Sequence, residues 1–292
     1  MTKATTVVQS AWHDVLRTTA HGTIRGSVRI GEDVDCLATL LGCVRDRTLR
    51  SDLLLLTHAD LGAAKDDRES KRQSLERGTL KRYVIRVYTE AGPRVVKVAE
   101  TVGFGNTLHG LFGSSVARRE HDNQLRAEGL ELAATQTSGF LELRRGLFLK
   151  RAIQIQTELD PALPSWTDVF DTDRLFNQDA AVERAARALA ATHALGFFHA
   201  DLKGFHAFVP EPKTETYGLL WLDLGRVGFS LTPRKRIINL YQALRFVIPR
   251  DADERFVTAY CQASGWHAGD EARAVAKVRK FLDYKLRTHL NP

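Results

Sequence analysis

The sequence has few cysteines, no long apolar runs and none of the usual glycine signatures, and each shortage removes a class of explanation. Its three cysteines, Cys36, Cys43 and Cys261, form no CxxC pair and have no histidine pair nearby. Neither a disulfide framework nor a zinc site organises such a chain, and reduced thiols are expected. No apolar stretch approaches the roughly 20 residues that span a bilayer. The opening MTKATTVVQSAWHD lacks the apolar core and small-residue cleavage site of a secretory signal, which predicts a cytosolic location. Internal repeats and low-complexity segments are absent. So are the aromatic signatures and zinc-finger spacings of nucleic-acid readers, and no nucleic-acid partner is expected.

What remains is an ordinary globular composition, 43% apolar and 26% charged, over 292 residues, enough for one large or two medium domains. Lys and Arg number 42 against 35 Asp and Glu, a formal charge of +7 that favours anionic partners without naming one.

The chain changes character along its length. LLLLTHA at 53–59 reads as a buried strand, and the densely charged 62–78 stretch reads as an exposed loop. TLKRYVIRVY and VVKVA alternate in the manner of a hairpin, with Gly92 and Pro93 expected in its turn. Ser114 and Ser115 open SSVARREHDNQLRAEG, a capped helix ending at Gly129, and a strand pair follows over 138–150. DAAVERAARALAATHALG is an alanine-rich helix with Gly196 as its C-terminal stop. FFHADLKGFHAFV and GLLWLDLGRV read as strand-turn units, and the chain from Arg234 onward reads as mostly helical. Val275, Val278, Leu282 and Leu286 form an apolar stripe among basic residues, suited to packing on its own domain or to lying on an anionic leaflet.

Four charged residues fall in an informative order. Lys97 lies in a strand, Glu120 on the following helix, Asp201 in the loop after a long helix, and Asp223 in WLDLGR. Phosphoryl transfer uses this inventory: a lysine for the nucleotide phosphates, a carboxylate to orient it, a base near the acceptor hydroxyl and a carboxylate for magnesium. In HADLKGFH, Asp201 stands two residues after a histidine, as the base does in a kinase catalytic loop. His206 takes the place of the metal-ligating asparagine five residues later.

With VVKVAE, ARREHDNQLRAEGL, LGFFHADLKGFHAFV and LLWLDLGRVGFSLTPRKRIINLYQALRFV in view, the chain over roughly 80–250 resembles the protein-kinase-like superfamily. Within it, the resemblance is to the bacterial lipopolysaccharide kinase family, Kdo/WaaP. The resemblance implies an α+β, two-lobed protein-kinase-like fold, with a small antiparallel-sheet N-lobe carrying one main helix and a larger, mostly helical C-lobe. The expected division is an extension of unassigned role over 1–50, an N-lobe over 51–152 and a C-lobe over 153–292, with a hinge near 151–158. Asp201 is implied as the base with Lys203 beside it, Asp223 and His206 as the Mg2+ ligands, Lys97 as the ATP-phosphate lysine and Glu120 as its partner. His199 is implied as a structural residue that holds the loop. Arg226, Arg234 and Lys235, with Arg236, are candidates for holding an anionic sugar or glycolipid acceptor. The implied acceptor is a Kdo or heptose hydroxyl of the lipopolysaccharide core, reached from the cytosolic face of the inner membrane with peripheral membrane contact.

Two departures keep alternatives open. No GxGxxG precedes the lysine strand, which leaves the 62–78 loop to cover the phosphates, and no Ala-Pro-Glu segment follows Asp223 to support a peptide substrate. A kinase of a soluble small molecule, like the aminoglycoside and choline kinases, and an inactive pseudokinase acting as a binding protein are the two other readings.

Overall fold

Alternating apolar residues build the first half of the molecule and helical periodicity the second. The structure is a computed structural model that describes residues 12–19, 22–29, 32, 54–56, 82–89, 92–100, 114–214 and 217–265, with positions 273, 276, 277 and 280. The expected 62–78 loop and the apolar stripe of Val275, Val278, Leu282 and Leu286 lie outside the described residues. The chain divides into two units, Met1–Asp122 with Gln136–Glu158, and Asn123–Thr135 with Leu159–Pro292.

Unit one is a seven-stranded antiparallel sheet. Its strands are β1 (Trp12–Thr19), β2 (Gly22–Arg29), β3 (Leu54–Leu56), β4 (Arg82–Thr89), β5 (Gly92–Glu100), β6 (Thr137–Arg145) and β7 (Phe148–Thr157). They lie in the order β1-β2-β6-β7-β5-β4-β3. Val96 stands opposite Ile155, and Val98 and Leu141 both stand opposite Ile153. All five are buried, so one face of the sheet is a core of β-branched and leucine side chains. Lys97 and Gln154 are paired in register on the opposite face.

Three features differ from the sequence reading. The β4–β5 hairpin closes at Thr89 opposite Gly92, so Gly92 and Pro93 open β5 and the connection is residues 90–91. Residues 151–157, read as a connecting segment, are the second half of β7, because AIQIQ alternates and both neighbouring strands pair with it. Residues 12–29, given no role, supply two strands that join the sheet through β6. Gly26 permits that junction, since a Cβ there would stand 2.1 Å from the Phe140 carbonyl oxygen.

Helix α1 (Val116–Gly129) begins in unit one, where the Ser115 hydroxyl accepts the Arg118 backbone N–H at 3.0 Å and caps it. Ala117 packs with Phe140, Leu149 and Ala152 of the sheet.

Unit two holds α2 (Trp166–Phe176), α3 (Gln178–Ala194), α4 (Pro233–Phe246) and α5 (Asp253–Ala263). Together with α1 these are five helices among the described residues. Helix α3 is the expected alanine-rich helix. Asn177 caps its start and Gly196, at φ +75°, follows its end in the left-handed region that glycine adopts without penalty. Its buried Ala181, Ala185 and Ala188 let neighbouring helices approach closely. Helix α2 has no counterpart in the sequence reading, although Ser165 and Asp168 form a complete capping box at its start. Four short strands complete the unit in two antiparallel pairs: β8 (Phe198–His199) with β11 (Val227–Gly228), and β9 (Ala207–Phe208) with β10 (Leu220–Trp221).

Candidate functional site

The two strand-turn units seen in the sequence clasp one another. His199 pairs with Val227, the Ala200 N–H donates to the Arg226 carbonyl at 2.8 Å, and the Leu222 N–H donates to the His206 carbonyl at 2.8 Å. These bonds bring the segment 201–206 alongside 222–226, and with them Asp201, Lys203, His206 and Asp223. The turn at Gly204–His206 sits close to α2, where a Cβ on Gly204 would stand 1.7 Å from the Thr167 hydroxyl oxygen. Only glycine passes there.

Two stacked imidazoles underlie the site. His199 is buried and accepts the Asp201 backbone N–H on Nδ1 at 3.2 Å, so its proton is on Nε2, which donates to the Leu222 carbonyl at 3.2 Å. One ring thus ties the Asp201 loop to the backbone leading into Asp223. Burial, with His206 adding to it, pushes its pKa down to about 4 and keeps it neutral. The ring is stacked between Trp221 and His206, at 5.8 and 5.1 Å between centroids.

His206 is arranged differently. Its Nδ1 donates to the Asp201 carbonyl at 2.7 Å, which places the remaining lone pair on Nε2. Burial lowers its pKa, and the nearby Asp223 carboxylate opposes that shift. A neutral imidazole whose other nitrogen is pinned by a backbone carbonyl is the form in which histidine binds metals. Asp223 adopts left-handed backbone angles, φ 57° and ψ 59°, a conformation that costs a non-glycine residue on the order of 1 kcal/mol and concentrates at functional sites.

The carboxylate of Asp201 is open to solvent, with Lys203 Nζ 3.6 Å away and lying over the Phe205 ring. Of the basic residues after Asp223, Arg226 and Arg234 are exposed and Arg236 is half-buried. Lys235 is engaged: its Nζ donates to the Ser230 carbonyl at 2.8 Å and sits 4.7 Å from the Phe198 ring centre. It braces its own helix start.

In unit one, β5 and α1 bring Lys97 and Glu120 together, with Nζ 2.5 Å from Oε1. Glu120 is buried, while Glu128 is exposed. Lys65, Lys71 and Lys81, which precede Lys97 in the sequence, lie outside the described residues.

The sequence reading missed the support beneath the Asp201 loop. Asn239 of α4, buried, accepts the His199 N–H at 3.1 Å and the His193 Nε2–H at 3.2 Å on one oxygen. Its amide nitrogen donates to the His199 carbonyl at 2.6 Å and to Gln242 Oε1 at 2.8 Å. The Tyr260 hydroxyl, 2.6 Å from His193 Nδ1, donates to it and fixes the tautomer that Asn239 requires. Gln242 Nε2 in turn donates to the Ala200 carbonyl at 2.8 Å. No local pattern marks these residues, because their partners are 40 to 67 positions away.

As a donor set for a metal, Asp223 and His206 supply one carboxylate and one imidazole. No group of three or more His, Cys, Asp or Glu side chains suited to a metal occurs among the described residues. Magnesium takes oxygen donors, so the Asp223 carboxylate suits it and the His206 imidazole suits it less well.

No family model matches the chain, and no curated protein matches it. Among solved structures, one described as WaaP in complex with acyl carrier protein is similar at 20% identity, over 71% of this chain and 85% of that one, with a TM-score of 0.49.

Proposed function

We propose that this protein is a kinase of the protein-kinase-like type that transfers the γ-phosphoryl group of ATP to a sugar hydroxyl. The observation carrying the proposal is the His206–Asp223 arrangement beside Asp201: a neutral imidazole with its lone pair on Nε2, a carboxylate close enough to oppose the shift in its pKa, and a solvent-open aspartate. Magnesium bound there would neutralise the phosphate oxygens and fix their geometry. Asp201 accepts the hydroxyl proton as the acceptor oxygen attacks. Lys203 supplies positive charge beside that oxygen, and His199 holds the loop in register. Lys97, kept in place by Glu120, grips the nucleotide phosphates. Arg226 and Arg234 serve the acceptor's own anionic groups, whereas Lys235 stays with Ser230 and Phe198. The acceptor suited to these groups is a phosphorylated or carboxylated sugar, and a Kdo or heptose of a lipopolysaccharide core has that chemistry.

The test is thermal stability with ATP and magnesium, for the parent, Asp223→Ala and Asp201→Ala. A ligand that binds only the folded state adds about 2.7 kcal/mol at a hundredfold excess over its dissociation constant. The parent and Asp201→Ala should be stabilised, Asp223→Ala should not, and Asp201→Ala should transfer no phosphate. Stabilisation of none of the three would sink the kinase reading in favour of a binding protein.

A further inference from the structure

The β6–β7 hairpin ends in RRGLFLK, and its tip is braced from within. Arg145 pairs with Phe148, so Gly146 and Leu147 form a two-residue turn, with Gly146 at φ +59° as a tight hairpin requires. Arg144 is buried. Its Nη1 donates to the Leu147 carbonyl at 3.1 Å and its Nε to Glu142 Oε2 at 3.0 Å, while Arg25 Nε donates to the same oxygen at 3.1 Å. This network of charged bonds holds the turn rigid.

What the turn displays is apolar. Leu147 is 75% exposed and Phe148 45%, and the exposed side chains immediately around them, Arg145 and Lys150, are both cationic. A second apolar pair, Leu175 and Phe176 at the end of α2, is more exposed still, at 85% and 86%. That pair is bordered by Asp171, by Asp173 and Asp179, which are paired with Arg184 and Arg255, and by Arg174, 3.8 Å from Asp251, so it carries no excess of cations. Apolar area alone does not separate the two sites. Their charge does.

We propose that the β6–β7 tip docks this protein on an anionic lipid surface, with Leu147 and Phe148 entering the headgroup layer and Arg145 and Lys150 pairing with lipid phosphates. Apolar side chains gain by leaving water at the acyl boundary, and flanking cations gain from the negative surface potential. A braced turn loses little conformational freedom on insertion. The inference needs no kinase activity, so its failure and that of the catalytic reading are separable.

The experiment is flotation of the full chain with vesicles of phosphatidylcholine, alone or mixed equally with phosphatidylglycerol. The parent should float with the mixed vesicles and not with phosphatidylcholine alone. Leu147→Ser with Phe148→Ser should reduce binding about tenfold or more, given the apolar area removed from the interface. Arg145→Gln with Lys150→Gln should lower it and flatten its salt dependence. Leu175→Ser with Phe176→Ser, a larger loss of exposed apolar surface, should bind like the parent. Matching melting curves would establish that each variant is folded. The proposal is overturned if the parent fails to float, if it binds both vesicle types equally, or if the two apolar double variants behave alike.

Discussion

The two units support their candidate site residues in different ways. In unit one the Lys97–Glu120 pair is made where a strand and a helix meet, and the partners are the two charges themselves. In unit two Asp201 and Lys203 are half-exposed and 3.6 Å apart, and a layer of neutral, buried groups fixes the backbone beneath them. His199 ties two loops together, and Asn239, His193 and Tyr260 tie His199 to three helices. Charge directly paired can be altered without disturbing the fold, whereas a neutral scaffold fails as a whole when one member changes its protonation or its hydrogen-bonding valence.

Acid should expose this difference most strongly. Burial holds His193 and His199 near a pKa of about 4 and lowers that of His206, all in unit two, while among the described residues of unit one only His121 is so lowered. The folded pKa values are depressed, so the unfolded chain takes up protons first as pH falls below about 6.5. Stability contributed by these groups is complete above that pH, declines down to about pH 4 and changes no further below it. Each fully buried histidine should cost on the order of 2 kcal/mol by pH 5, at about 1.4 kcal/mol per pH unit. Urea denaturation at pH 7 and pH 5, followed by amide exchange, should show unit two opening first on acidification. Equal acid sensitivity of both units would break the comparison.

Replacing Asn239 by alanine is the next largest expected effect. It strands the His199 N–H and carbonyl and the His193 Nε2–H in a buried region, and Gln242 loses a partner as well. Unmade buried bonds of this kind cost about 1–3 kcal/mol each before relaxation, and a net loss of roughly 3 kcal/mol is expected. Calorimetry would measure it, and a change under 1 kcal/mol would mean that the scaffold relaxes freely.

These residues also mark where the sequence became opaque. The candidate site positions stood out in the sequence because each sits in a local pattern: Lys97 in an alternating strand, Asp201 and His206 at loop spacing, Asp223 after an apolar run. The β4–β5 hairpin and helix α3 were legible for the same reason, since period and capping are written over a few residues. Asn239 reads as any polar residue on an amphipathic helix, and only the return of His199 from 40 residues earlier makes it a hub. The β1–β2 strands were obscure because Gly22 and Gly26 break the apolar alternation that would announce them, and Gly26 is needed for backbone approach to β6. Helix α2 was legible and went unread: Ser165 and Asp168 spell its cap. The bracing of Lys235 by Ser230 and Phe198 had no local signal beyond its position at a helix start.

The smallest expected change in stability is the sharpest test of the contrast. Glu120→Gln keeps the side chain's shape and its ability to accept a hydrogen bond from Lys97, and removes only the charge. Lys97 is half-buried and retains access to water, so its ammonium is not stranded, and the cost should be about 1 kcal/mol or less. If the pair exists to position Lys97 for nucleotide phosphates, the same substitution should weaken magnesium-ATP binding severalfold, seen as a smaller ligand-induced rise in melting temperature. Unit one would then lose function while keeping its fold, the reverse of Asn239→Ala in unit two. Should Glu120→Gln instead destabilise the protein as much as Asn239→Ala, the Lys97–Glu120 pair would be part of the fold's own support, and the distinction between paired charge and neutral scaffold would not hold.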